Sequence, residues 1–127
     1  MSRKLAILLL ITALMLPGLA GAVTKEDFLV KTTGNLVNLL TAPADDPLRR
    51  EAINFGEGYV VGAYHYYVAE NSGPKGQRLV CLPDPPPSRD AAVTMFVEWV
   101  KAHPQYMDEN PVETLFRFLI DKWPCKR

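Results

Sequence analysis

The sequence predicts an all-α protein, a compact bundle of about four helices around a central glycine- and tyrosine-rich helix, closed by one disulfide. Three observations carry this expectation. Residues 54–68 are apolar and aromatic on most turns yet contain Gly56, Gly58 and Gly62, and a helix hydrophobic on most faces belongs in the middle of a domain. The segments that follow carry caps and prolines where helices start and stop, around apolar residues at helical spacing. Cys81 and Cys125 are an even pair, which in an exported chain reads as a disulfide.

Export is read from the first 22 residues. Arg3 and Lys4 form a positive start, residues 5–16 are apolar, Pro17-Gly18 breaks the run, and Ala20-Gly21-Ala22 is a small-x-small cleavage site. That is the pattern of a secretory signal peptide cut between Ala22 and Val23. A membrane span needs about 20 apolar residues, so this run is short for an uncleaved anchor. Residues 23–127 then form a single domain, large enough for a modest core. Lys and Arg balance Asp and Glu at 14 each. Loss of Arg3 and Lys4 leaves the domain slightly acidic, with no basic surplus for nucleic acid or anionic lipid. The expected location is the periplasm, with no membrane attachment after cleavage.

The first helix is expected over residues 24–41, with Thr24 as N-cap and Phe28, Thr32, Leu36, Leu39 and Leu40 at helical spacing. Asp45 or Asp46 would cap the second helix, with Pro47 at its first position. That helix runs from about Leu48 to Asn71, with two apolar stripes and hence two neighbours. Each interior glycine costs roughly 1 kcal/mol of helix propensity relative to alanine. Gly58 and Gly62, four apart on one face, therefore read as a groove where another helix backbone comes close. Residues 71–90 read as irregular. Pro83, Pro85, Pro86 and Pro87 forbid helix and favour a stiff extended chain. The stretch is either a rigid spacer or a recognition surface, and Asp84, Pro85, Pro86 and Pro87 are its candidate partner contacts. Ser88 caps a third helix to about His103, with Ala92, Met95, Phe96, Trp99 and His103 as its apolar face. Asn110, Pro111 and Glu113 open a fourth, whose stripe is Val112, Leu115, Phe116, Leu119, Ile120 and Trp123. The cysteine bridge closes a loop of about 45 residues, for which chain entropy gives an upper figure of roughly 4 kcal/mol.

Few residues suggest chemistry. His65 and His103 fall on different helices, and no three or four ligands share metal-site spacing. No nucleophile has a readable partnered base, and no glycine pattern matches a phosphate cradle. Glu57 is the most notable carboxylate, either partnered by Arg50 or Lys101 or facing water. No catalytic residue, metal or cofactor is expected.

The sequence also contains Gly58-Tyr59-Val60-Val61-Gly62, then Cys81-Leu82-Pro83, a helix ending Val100-Lys101-Ala102-His103-Pro104, and Pro124-Cys125, in that order. From about Phe28 to Cys125 it resembles the Rap/Tai family of periplasmic immunity proteins. The resemblance implies a helical fold without enzyme activity that binds and occludes a peptidoglycan amidase toxin delivered by type VI secretion. It is also compatible with homodimerisation. Relatives carry a further cysteine pair joining the first two helices, whereas no cysteine here precedes Cys81.

Two other classes compete. A small periplasmic helical chaperone or stress-response protein would also be exported with a single disulfide, and its carboxylates would drive acid activation. A small enzyme would have to rely on Glu57 or His65, without the partners such chemistry needs.

Overall fold

The computed structural model describes residues 21–126, so the expected leader lies outside the described residues apart from Gly21 and Ala22. Among the described residues there are four α-helices: α1 (Thr33–Leu40), α2 (Arg49–Glu70), α3 (Arg89–Ala102) and α4 (Pro111–Lys122). Two 3-10 turns, Asp27–Leu29 and Pro104–Tyr106, precede α1 and α4. The one β-type pairing among the described residues is an isolated antiparallel bridge between Val80 and Pro124. The expected class, all-α with four helices and one disulfide, is the one observed.

The first helix starts nine residues later than expected. Val30 takes a left-handed conformation, φ 46°, which interrupts any helix begun at Thr24. Thr32 then caps α1 through a reciprocal box with Asn35. Thr24 does not act as a cap. Its backbone N–H and hydroxyl donate to Asp27 Oδ2 at 2.9 and 3.1 Å. Asp27 Oδ1 accepts from the Asn35 and Asn38 amides, each at 3.1 Å. One buried carboxylate thus ties the N-terminal turn to α1.

In α2 the start is also shifted. Asp46 accepts from Leu48 N in the preceding turn at 2.8 Å, and the helix begins at Arg49 with no side-chain cap. The amphipathic phase of α3 differs by one residue from the expected face. Phe96, Val97 and Val100 are buried, while Met95 is only half-buried and Trp99 and His103 stack on each other with ring centroids 4.0 Å apart. In α4, Thr114, Leu115, Phe118 and Leu119 face inward, and Ile120 is exposed.

The core lies between α1, α3 and α4. Leu36, Leu39 and Val100 are wholly inaccessible, and Phe96 meets Phe118 edge-on at 5.7 Å. Burial of such side chains stabilises by about 1.5–3 kcal/mol each. The long α2 contributes only Ala52 and Gly56 at full burial. It lies along the flank of the core and leaves a face in solvent. The expected close approach at Gly58 and Gly62 is not found within the chain, since a Cβ at either position would meet nothing within 4 Å. The close approach is at Gly56, where a Cβ would lie 2.9 Å from Leu40 Cδ2. Gly58 and Gly62 occupy the opposite side of the helix, because four residues advance a helix by little more than a turn whereas two advance it by half of one.

Two clamps close the structure. Cys81 and Cys125 form the expected disulfide. Beside it, Cys81 N donates to Trp123 O at 2.9 Å and Cys125 N to Leu79 O at 3.2 Å. At the other end, Thr33 N donates to Glu109 O at 2.9 Å and Gly34 N to Met107 O at 2.8 Å, so the free amides at the start of α1 end on the connection between α3 and α4. Thr33 and Thr114 hydroxyls meet at 2.7 Å beneath them. Arg117 grips the Glu109 carboxylate with both Nε and Nη2, and that contact, with the Thr114 hydroxyl, holds the carboxyl below its usual range.

Candidate partner-binding site

Because α2 rides on the flank, a groove opens between its second half and the α3–α4 pair. Its volume is about 290 Å³. Val60, Val61 and Tyr64 of α2 form one wall and Val93 and Leu119 of α3 and α4 the other, with Trp123 also lining it. Leu82 and Pro87 also line it, so the proline loop reaches the groove. Of the four loop candidates, Asp84, Pro85 and Pro86 are exposed and Pro87 is half-buried. They stand together, and the Asp84–Pro85 peptide is cis.

The loop is held at both ends. The disulfide fixes Cys81, and Ser88 caps α3, its hydroxyl accepting from Ala91 N at 3.2 Å. Behind the loop, the Tyr67 hydroxyl accepts from both Leu79 N and Val80 N, at 2.8 and 3.0 Å. A tyrosine from α2 thereby supplies acceptors that a neighbouring strand would otherwise give. Prolines already restrict their own backbone, so a loop anchored in this way loses little conformational freedom on binding.

The groove is lined mostly by apolar side chains. No carboxylate lines the groove, and its polar groups are Tyr64, His65 and Arg89. Burial pushes the Tyr64 hydroxyl above the usual tyrosine range, the nearby Tyr67 adds to this, and Arg78 opposes it. Glu57 is paired with Arg89 at 3.8 Å, bridging α2 and α3 with only 18% of its side chain exposed. It is matched neither with Arg50 or Lys101 nor left to water. His103 stands apart from His65; its Nδ1 donates to Trp99 O at 2.7 Å, at the end of α3. Among the described residues no group of three or more His, Cys, Asp or Glu is placed to hold a metal.

The groove walls were not singled out from the sequence. Val60 and Val61 fall on adjacent positions, more apolar surface than two buried stripes require, and that excess was the available signal. Trp123 was read only as part of the α4 stripe and Leu82 only as part of the Cys81-Leu82-Pro83 motif; the disulfide brings the two together from distant parts of the chain.

A helical scaffold with a clamped, proline-rich loop beside an apolar groove defines a protein-binding module. The family model described as Rap1a immunity proteins matches residues 29–125, and the chain belongs to that family. Membership implies a toxin as its partner. Comparison with curated proteins and with solved structures gives no match.

Proposed function

We propose that this chain is a periplasmic immunity protein that binds and inhibits a peptidoglycan amidase toxin delivered by type VI secretion. It acts by occlusion, without catalysis or cofactor. The single observation that carries the binding mode is the clamped loop at Asp84, Pro85, Pro86 and Pro87 beside the apolar groove. The loop enters the toxin cleft, and the groove receives an apolar side chain from the cleft rim. Such buried anchors dominate interface energetics. Export rests on the pattern of residues 1–22, and family membership weighs against the chaperone alternative.

The test has two stages. The full-length gene, tagged at its C-terminus, is expressed in its own bacterium, and co-purifying proteins are identified by mass spectrometry. One stoichiometric partner with a cell-wall hydrolase fold is the expected result. Many unfolded clients captured after acid shock would instead support a chaperone. With the toxin in hand, replacing residues 85–87 by Gly-Ser-Gly weakens inhibition at least tenfold, about 1.4 kcal/mol, with unchanged helical circular dichroism. Undiminished inhibition would remove the loop from the interface.

A second copy of the chain has a separate place to bind. On the outer side of α2, Phe55 and Tyr66 are 45% and 69% exposed, flanking the open backbone at Gly58 and Gly62. We assign homodimerisation to this face, which leaves the groove free for the toxin.

A further inference from the structure

Among the described residues, burial begins at Val23. Gly21 and Ala22 are exposed, whereas Val23 is 8% exposed. Its backbone nitrogen donates to Asp46 Oδ2 at 2.8 Å, reaching across to the α1–α2 connection. The other oxygen, Asp46 Oδ1, accepts from Leu48 N at 2.8 Å. Asp46 therefore holds the start of the domain with one oxygen and the turn into α2 with the other. In an uncut chain the Val23 nitrogen is an amide with a single proton, a neutral donor to a carboxylate.

We propose that Asp46 is a receptor for the α-ammonium of Val23, a site completed only when the chain is cut after Ala22. This rests on the export reading above. Hydrolysis by a signal peptidase breaks the bond between the Ala22 carbonyl carbon and the Val23 nitrogen. Water gives its hydroxyl to Ala22, which leaves as a carboxylate, and its protons leave Val23 with an ammonium. The nitrogen need not move to become the cationic partner of Asp46. A hydrogen bond between two charged groups is roughly twice as strong as a neutral one. The position of the cut matters. A cut two residues earlier would place the charge about 7 Å further along the chain, and a cut one residue later would remove the buried Val23 side chain. Processing thus finishes the fold. The precursor lacks this ion pair and the exported chain gains it.

The experiment expresses the full-length gene with export and purifies the processed protein. Mass and N-terminal sequencing are expected to show a chain beginning at Val23; any other start overturns the proposal. The α-amine is then selectively acetylated near neutral pH, which restores the neutral amide of the precursor. Acetylation is expected to lower the folding equilibrium constant about fivefold in urea titrations, the upper end for a partly exposed pair. In Asp46→Asn the effect falls below twofold, because the asparagine oxygen still accepts from Leu48 N but carries no charge. Equal effects in the two backgrounds overturn the proposal. Should Asp46→Asn not fold, the carboxyl ¹³C resonance of Asp46 in the unsubstituted protein gives the same answer. It shifts on acetylation if the pair exists, and an unmoved resonance overturns it. None of these readouts involves a toxin, so failure here is separable from failure of the immunity reading.

Discussion

At Gly56 an added Cβ would lie 2.9 Å from Leu40 Cδ2 and 3.2 Å from Leu40 Cγ, whereas at Gly58 and Gly62 it would meet open space. The same substitution therefore has opposite signs along one helix. Gly58→Ala and Gly62→Ala gain helix propensity and stabilise by about 0.5–1 kcal/mol each. Gly56→Ala makes the same gain but overpacks Leu40, which costs about 1–3 kcal/mol, so it destabilises by about 1 kcal/mol net. Urea denaturation of the three variants checks both directions. Asp27 gives a pH-dependent counterpart. Burial raises its carboxyl pKa, but donors from Thr24, Asn38 and Asn35 outweigh it and bring the net value below the ordinary 3.8. A depressed carboxyl stabilises the fold above its unfolded pKa and loses that contribution as pH falls through its folded pKa. Stability is therefore expected to drop below about pH 4. Asp27→Asn costs about 1–2 kcal/mol at pH 7 and flattens that acid limb, as urea titrations between pH 7 and pH 2.5 would show. The sequence offered Thr24 as a helix cap, whereas Asp27, three residues on, is the acceptor. Three-residue spacing is common to a helix cap and to this turn, and only the left-handed Val30 separates them. Glu57 was legible as unusual, yet its partner Arg89 is 32 positions away in the sequence and no local pattern announces it.

Among the elements, existence was easier to read than phase. Ser88, Asn110 and Pro111 mark the starts of α3 and α4 because capping is local chemistry. Which face turns inward depends on neighbours, so Val97, Val100 and Phe118 were missed and Ile120 was wrongly placed inside. The open side of α2 escaped for the same reason. Its aromatic residues suggest burial, but the half-buried tyrosines keep only one edge against the core. The return segment at residues 79–82 is stabilised by the disulfide, the bridge from Val80 to Pro124 and the Tyr67 hydroxyl. Replacing both cysteines by serine is expected to cost about 2–4 kcal/mol while the far-ultraviolet circular dichroism remains helical. Tyr67→Phe keeps the ring contact with Phe116, 5.0 Å between centroids, but leaves two N–H groups without their acceptor. It is expected to cost about 1–2 kcal/mol, with faster amide exchange confined to Leu79 and Val80. Exchange that quickens across the whole domain would mean that the hydroxyl holds more than this segment.

For the whole molecule, the two sides of α2 differ in what they offer a partner. The inner side borders the groove, and the outer side carries Phe55 and Tyr66. Light scattering of the processed protein is expected to give twice the monomer mass, and Tyr66→Glu to halve it without weakening toxin inhibition more than twofold. A monomer at all concentrations would leave that aromatic face without the assigned role. The clamp at Thr33 and Gly34 has a consequence in time. Their amide donors find acceptors at Glu109 and Met107, more than seventy positions downstream. Synthesis delivers the amino end first, so α1 emerges long before the groups that complete it. Until residue 109 arrives, the opening helix is a draft, its first amides still waiting for the carbonyls that will hold them.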